Sequence, residues 1–241
     1  MNNRKTYLII FITAIIIFIF NLNIFAQKEV KKDEPAKSAS LWTFTYTKGE
    51  VHVKKTSDEL FMPVSKDVNF SKGDIIKLGL DGYAEIKDTS GNYIRLFPDT
   101  LITIDNLTIN SMRIVFKKGK ILCNAAFKDS KEPNIIIETS TIVVGTSNGN
   151  FYFVYDPVGG DLTDILVLNG ELHLGVLIPC AVNSLSITAG GKLSFRPLES
   201  NQTLSLEQWG YEKIKNFIVE LNTQAGWEVK EEKVEDLKTT N

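Results

Sequence analysis

The chain has 241 residues, of which 43% are apolar and 23% are charged, and its formal net charge is −2. This length is enough for one sizeable hydrophobic core within a single domain. Lysine and arginine are not in excess, and they form no basic stripe interleaved with aromatic residues, which argues against binding to DNA or RNA.

The first 26 residues have the pattern of a secretory signal peptide. Arg4 and Lys5 form a short basic start, an almost wholly apolar stretch runs from Leu8 to Phe20, and a small residue, Ala26, ends the segment. We predict cleavage after Ala26, although Ile24 stands where a small residue is usual. An uncleaved anchor is the alternative, but the apolar stretch is shorter than the roughly 20 residues that cross a bilayer. Either way, the rest of the chain is expected in the periplasm or at the cell surface.

Four segments follow the signal peptide. Residues 27–40 are charged, contain proline and have no periodicity, which is typical of a flexible tether. Residues 41–198 consist of short segments in which apolar and polar residues alternate, which predicts β-strands with one face on a core. Residues 199–227 are predicted to be a C-terminal helical segment, and residues 228–241 a charged tail. The predicted fold class is all-β, a double-layered sandwich or a solenoid-like domain, with one C-terminal helix packed on it.

Turn signals separate the predicted strands about every ten residues. Asn169-Gly170 is a tight-turn dipeptide because both residues tolerate positive φ, and Lys118-Gly119 is interpreted in the same way. The helix is signalled by Ser205 to Gln208, which fits a capping box, and by an apolar stripe that runs from Leu206 through Gly226. We therefore predict that the helix begins at Ser205.

A series of glycine-containing motifs in residues 41–196 resembles the FecR domain, the extracytoplasmic module of regulators that sense ferric-siderophore uptake. No single motif is specific, but their order is diagnostic. They are Gly49–Val53, Gly73–Gly79, Ala84–Ile86, Ser90–Thr100, Gly119–Ile121, Thr139–Thr146 with Phe151, Ile165–Leu174 and Thr188–Lys192. The chain departs from the family pattern at Leu78, at Ser140 and Val144, and in an insertion at residues 147–150.

The most prominent motif residues have a physical interpretation as parts of the scaffold. Glycine allows sharp turns and close backbone approach, Asp74 can accept backbone N–H groups across a turn, and Thr146 can cap a strand with its hydroxyl. We therefore predict structural roles for six residues: Gly73, Asp74, Gly79, Gly145, Thr146 and Gly170.

The two cysteines, Cys123 and Cys180, leave two interpretations open. An exported protein meets an oxidising compartment, in which the pair could form a disulfide. Buried free thiols are the alternative, because cysteine also behaves as a small apolar residue. Cys123 is in step with Ile121 and Ala125 on one strand face, which suits both interpretations.

Catalytic chemistry is hard to build from this sequence, and we expect no enzyme activity, metal or cofactor. The two histidines, His52 and His173, stand on the predicted solvent side of separate strands. The sequence contains no nucleophile elbow, zinc-protease motif or P-loop. Three acidic residues, Asp156, Asp161 and Asp164, lack the spacing of a calcium loop and are interpreted as a polar hairpin tip.

Two aromatic sets alternate along predicted strands. Trp42, Phe44 and Tyr46 share one predicted face, which could form a binding surface for a sugar or a protein partner. Aromatic residues more often fill a core, and this alternative stays open for them and for the set at Phe151, Phe153 and Tyr155.

Three functions are compatible with these features to different degrees. The first is an exported, non-enzymatic cell-envelope protein whose FecR-like domain is a binding or assembly module for another envelope protein or a cell-wall polymer. The second, implied by the resemblance, is a membrane-anchored regulator of a sigma factor; because only about six residues precede the apolar stretch, we expect no cytoplasmic domain for that role. The third is a secreted glycan hydrolase, which would need a carboxylate pair in a cleft. The sequence favours the first.

Overall fold

The computed structural model describes residues 42–64, 68–108, 111–126, 133–177, 184–197 and 203–227. The chain divides into two units, Met1–Ser38 and Ala39–Asn241, and all described residues belong to the second. The predicted signal peptide, tether and charged tail therefore lie outside the described residues.

Alternating sequence segments form strands, and one helix follows them. Within the described residues the elements are β1 (Thr43–Lys48), β2 (Val51–Lys54), β3 (Met62–Pro63), β4 (Ile75–Leu78), β5 (Tyr83–Lys87), β6 (Tyr93–Leu96), β7 (Leu101–Leu107), β8 (Met112–Ala126), β9 (Ile135–Glu138), β10 (Ile142–Thr146), β11 (Asn148–Asp156), β12 (Leu162–Val176), β13 (Ser184–Thr188), β14 (Gly191–Arg196), β15 (Thr203–Gln208) and α1 (Tyr211–Ala225).

The strands form two layers that face each other. Layer A has the order β1-β5-β6-β8-β11-β12-β14-β15. Layer B has the order β3-β2-β4-β7-β8-β9-β10-β12-β13. Neighbouring strands are antiparallel except for the parallel pair β8–β9. The two layers together with α1 confirm the predicted all-β fold class with one C-terminal helix.

Two long strands, β8 and β12, belong to both layers. Strand β8 pairs in layer B as far as Lys118 and in layer A from Gly119, and β12 pairs in layer A as far as Gly170 and in layer B afterwards. Gly119 and Gly170 have φ values of 112° and 76°, which glycine adopts at little steric cost. The prediction that these glycines make turns is wrong: each is a bend at which the strand changes layer.

The main core lies between the layers and is built from their facing side chains. In β8 the buried residues are Met112, Ile114 and Phe116 before the bend, and Ile121, Cys123 and Ala125 after it. The bend at Gly119 changes the alternation from even to odd residue numbers, so that both halves of the strand face the same core.

Layer A is also covered on its outer face. Phe97, Leu122 and two leucines of β12 lie there in a second apolar cluster with residues of helix α1. Since both faces of this part of the sheet are buried, β8 and β12 contain continuous buried runs at Ile121–Ala125 and Ile165–Leu168. Layer B keeps simple alternation in β2, β9 and its part of β8.

The start of the C-terminal helix differs from the prediction. Residues Thr203–Gln208 form strand β15, which pairs with β14 and extends layer A, so Ser205 is not a helix cap. Leu204 and Leu206 are two residues apart and lie opposite Phe195 and Leu193 of β14, which favours a strand over a helix here.

Helix α1 begins after Gly210 and ends at Gly226, whose φ of 78° places it in the left-handed region. Its C-terminal end thus has a glycine cap. No helix in the described parts of the chain has the length and apolar character needed to cross a membrane.

Candidate functional site

Asp74 is a buried brace between two turns of layer B. Its carboxylate accepts the backbone N–H of Ser71 at 2.8 Å and that of Thr56 at 3.1 Å, and the ammonium group of Lys55 at 2.7 Å. Its own carbonyl accepts the N–H of Ile104 in the neighbouring strand. The Asp74 side chain is almost completely buried, so all of its bonding capacity is directed at the scaffold.

The other motif residues lie where neighbouring segments of the chain approach closely. A Cβ atom on Gly79 would come within 2.3 Å of Glu50 Oε2, and one on Gly145 within 2.8 Å of Pro133 Cβ. The buried Thr146 hydroxyl donates to the carbonyl of Glu171 at 2.8 Å, which ties β10 to β12. These residues do not converge on one pocket; they are spread over both ends of the sheet.

The proposed binding surface of Trp42, Phe44 and Tyr46 is corrected by the structure. Trp42 and Phe44 are 0% and 6% exposed and belong to the main core, where Phe44 packs edge-on against Phe70 at 4.8 Å. The pairing of β1 with β5 shifts register between Phe44 and Tyr46. This bulge turns Tyr46 to the opposite face of layer A, where it belongs to the cluster beneath α1.

The two histidines lie on separate strands of layer B. His52 Nδ1 lies 3.4 Å from Glu50 Oε1, and His173 Nδ1 lies 2.9 Å from the hydroxyl of Ser186. In the described ranges, no group of three or more histidine, cysteine, aspartate or glutamate side chains is arranged to hold a metal ion.

The acidic residues around Gly159 surround the β11–β12 hairpin, as interpreted from the sequence. Asp156 Oδ1 accepts the backbone N–H groups of Val158 and Gly159 at 3.0 Å, which stabilises the turn. Asp161 accepts the hydroxyl of Tyr155 at 2.6 Å and that of Ser140 at 3.1 Å. Burial, and then the hydrogen bond to Asp161, raise the pKa of Tyr155.

A further carboxylate, Asp164, accepts a hydrogen bond from the hydroxyl of Ser194 on the neighbouring strand β14. The Asp156 carboxylate is bound to its own turn and the Asp161 carboxylate to Tyr155 and Ser140. Each of the three carboxylates therefore serves a local structural contact.

Cys123 is a free thiol within the core of layer A. Burial raises the pKa of this thiol well above its ordinary value, so the thiol stays protonated and unreactive in the folded protein. Of the two interpretations of the cysteines, the free thiol of Cys123 fits the second, and Cys180 lies outside the described residues.

A cluster of aromatic and polar side chains lies beneath helix α1, and the sequence does not predict it. Trp227, just after the helix, packs edge-on against Phe97, Tyr83 and Tyr46, with ring centroids 5.3, 5.9 and 5.7 Å away. The Arg95 guanidinium lies 4.6 Å from the centroid of the Trp227 ring, at cation–π distance.

Polar contacts fix the same end of the helix to layer A. Arg95 donates to Glu85 Oε2 at 2.7 Å and to Asn222 Oδ1 at 2.8 Å, and the Tyr46 hydroxyl donates to the carbonyl of Ala225 at 2.9 Å. Arg95 and Asn222 are 127 positions apart. No local pattern could have connected them, because each lies in an ordinary amphipathic element.

The outer face of layer B has a different character. One cross-strand row consists of partly exposed residues on neighbouring strands: Ile75, Thr103, Val115, Glu138 and Val143. The next row places Arg113 beside Ile136. The Arg113 guanidinium contacts Glu138 and lies 3.3 Å from Asp105 Oδ2. This face therefore combines apolar side chains with paired charges, and no helix of the described chain packs on it.

Comparison with known proteins places two crystal structures near this fold. Both are of a candidate anti-sigma factor from Parabacteroides distasonis ATCC 8503, with TM-scores of 0.49 and 0.48 and 12% sequence identity. The matches cover 60% of this chain and 63% and 64% of the other chains, so the chain spans less than two thirds of their length. No protein-family model and no curated protein matches the sequence. By its architecture the described part is an all-β domain with one C-terminal helix.

Proposed function

We propose that the protein is an exported, non-enzymatic component of the cell envelope, and that its FecR-like β domain is a binding or assembly module. Its site of action is the periplasm or the cell surface, and its partner is another envelope protein or a cell-wall polymer. It needs no cofactor for this role.

The outer face of layer B carries the proposal. Ile75, Val115 and Val143 remain partly exposed on alternate strands of this row, with Thr103 and Glu138 between them and the Arg113 ion pairs beside them. Apolar side chains bordered by polar groups are characteristic of protein recognition surfaces. The outer face of layer A, by contrast, is already used by helix α1.

The motif residues support a binding role over a catalytic one. Asp74 and Thr146 direct their polar atoms at backbone groups of neighbouring strands, and the two histidines stand on separate strands. Catalytic groups must share hydrogen-bond reach of one reacting atom, and these groups are distributed over the scaffold.

The test is retention of the protein by isolated cell envelopes. We expect the double variant Val115→Glu, Val143→Glu to co-sediment with envelopes at least several-fold less than the wild type, because two carboxylates would have to be desolvated at the interface. Val219→Glu, which changes an exposed valine of α1, is the matched control and should sediment like the wild type.

Equal retention of the double variant and the wild type would contradict the proposal, provided that both proteins have the same unfolding midpoint. Intact-mass measurement of the purified protein shows whether it begins at Gln27, as export with cleavage after Ala26 requires.

A further inference from the structure

Strand β15 is an edge of layer A in the described part of the chain, and Glu207 is its one charged residue. The strand pairs with β14 through all six of its residues without a register shift. The opposite edge strand, β1, contains a bulge, and one layer B edge, β3, is only two residues long and includes Pro63. The other layer B edge, β13, pairs with β12 through five residues. Natural sheets use bulges, proline, lysine and short strands to block edge-to-edge pairing. The sequence of β15, TLSLEQ, contains neither proline nor lysine.

The backbone of β15 is oriented for pairing with another strand. The N–H of Trp209, next after β15, donates to the carbonyl of Gly190 at 2.8 Å, which fixes the phase of the β14–β15 ladder. Backbone direction alternates in an antiparallel pair, so the N–H and C=O groups of Leu204, Leu206 and Gln208 point away from β14. These are the groups that a further strand would bind.

The side chains of β15 also favour a partner. Leu206 lies opposite the fully buried Leu193, on the core side of layer A, yet it is 53% exposed. Leu204 lies opposite Phe195 on the same side and is partly buried against the core. The apolar interior thus continues to the open edge of the sheet, and the one charged residue of β15, Glu207, lies on the opposite face of the strand.

We propose that β15 pairs with β15 of a second copy of this chain, in antiparallel orientation about a two-fold axis at Ser205. In this register, Leu204 of each copy lies opposite Leu206 of the other, on the core side. Each leucine pair joins residues whose backbone groups point outward, so the pairing forms four backbone hydrogen bonds.

A second copy fits this edge because the residues of β15 are complementary to those of another β15 that runs in the opposite direction. The two leucines stand symmetrically about Ser205, and Glu207 of one copy faces position 203 of the other, so the two carboxylates are kept apart. A symmetric, isologous contact of this kind closes as a dimer and leaves no further edge at β15.

Disulfide trapping of the full chain tests the register. Ser205 is exposed, and at the two-fold axis it would face its own symmetry mate in a non-hydrogen-bonded pair, whose Cα atoms lie roughly 4.5 Å apart, within disulfide range. We expect the Ser205→Cys variant to form a covalent dimer under oxidising, non-reducing conditions. Ser184→Cys, at an exposed serine on the edge strand β13, is the matched control and should remain at the level of the wild type.

A second variant tests the apolar contact. Adding Leu206→Lys to Ser205→Cys should abolish the covalent dimer, and Leu206→Lys alone should sediment with the monomer mass while the wild type sediments with twice that mass. Leu206 is half-exposed in the monomer, so lysine there is compatible with folding. The proposal is overturned if Ser205→Cys yields no more covalent dimer than Ser184→Cys, if the dimer persists with Leu206→Lys, or if the wild type is monomeric.

Discussion

Two motif positions require glycine because of the atoms that surround them. Gly73 has a φ of 89°, and a Cβ atom there would lie 2.5 Å from Thr56 Oγ1. Gly145 needs no unusual backbone angle, but the Pro133 ring leaves no room for a side chain. Gly73 therefore excludes larger residues through its backbone angle and through lack of space. Gly145 excludes them through lack of space alone.

Replacing either glycine with a β-branched residue should destabilise the fold. We expect Gly73→Val and Gly145→Val each to lower the free energy of unfolding by at least about 2 kcal/mol, measured by urea denaturation. Gly210→Ala is the control: its Cβ would meet no heavy atom within 4 Å, and the change should stay within about 0.5 kcal/mol. Unchanged melts of both valine variants would refute the scaffold role of these residues.

The sequence predicts residue roles well when the partner is local. The Asp74 brace joins it to Ser71 three positions away, within reach of a turn rule. Which face Trp42, Phe44 and Tyr46 occupy depends on a bulge in β1 where it pairs with β5, some 40 positions further along. The alternation of the sequence alone cannot show where such a bulge interrupts it.

At the scale of elements, helix α1 depends on Trp227. The indole contacts three aromatic rings of layer A and the Arg95 guanidinium, while the helix itself buries few side chains: Ile214, Leu221, Asn222 and Ala225. A short helix in water gains most of its stability from such packing.

Without the Trp227 indole, helix α1 should detach from layer A before the sheets unfold. We expect Trp227→Ala to lower the free energy of unfolding by about 3 kcal/mol and to speed amide hydrogen exchange in Tyr211–Ala225, with β8 amides still protected. Leu80→Ala, at a side chain 85% exposed, is the control for a surface truncation. Unaltered exchange in the helix would show that other contacts hold it.

Element type was predictable except at Thr203–Gln208, a strand that the sequence assigned to the helix, and element boundaries and roles were less predictable. The alternation in β2, β5, β6 and β8 gave the strands directly, since one face of each lies on the core. The turn signals at Gly119 and Gly170 correctly indicated positive φ. A bend within a strand and a turn at the end of a strand, however, need the same backbone angle. Only the pairing partners distinguish the two.

For the whole molecule, the two layers cannot separate without breaking β8 and β12, because each strand is hydrogen-bonded in both. Both layers also share one core. The domain should therefore behave as one cooperative unit.

We expect a single unfolding transition for the domain. Tryptophan fluorescence, with two of the three tryptophans near α1, and far-UV circular dichroism, which reports the sheets, should give the same urea midpoint within error. Midpoints that separate by more than the fitting error would indicate layers, or a helix, that melt independently.

Strand β8 also connects the two outer surfaces of the molecule. Val115 faces outward on layer B, and Leu122, on the far side of the bend at Gly119, lies under helix α1. A molecule bound to layer B and helix α1 on layer A would thus contact the same strand, β8. A displacement of β8 at Val115 would be transmitted through its covalent backbone to Leu122 beneath the helix.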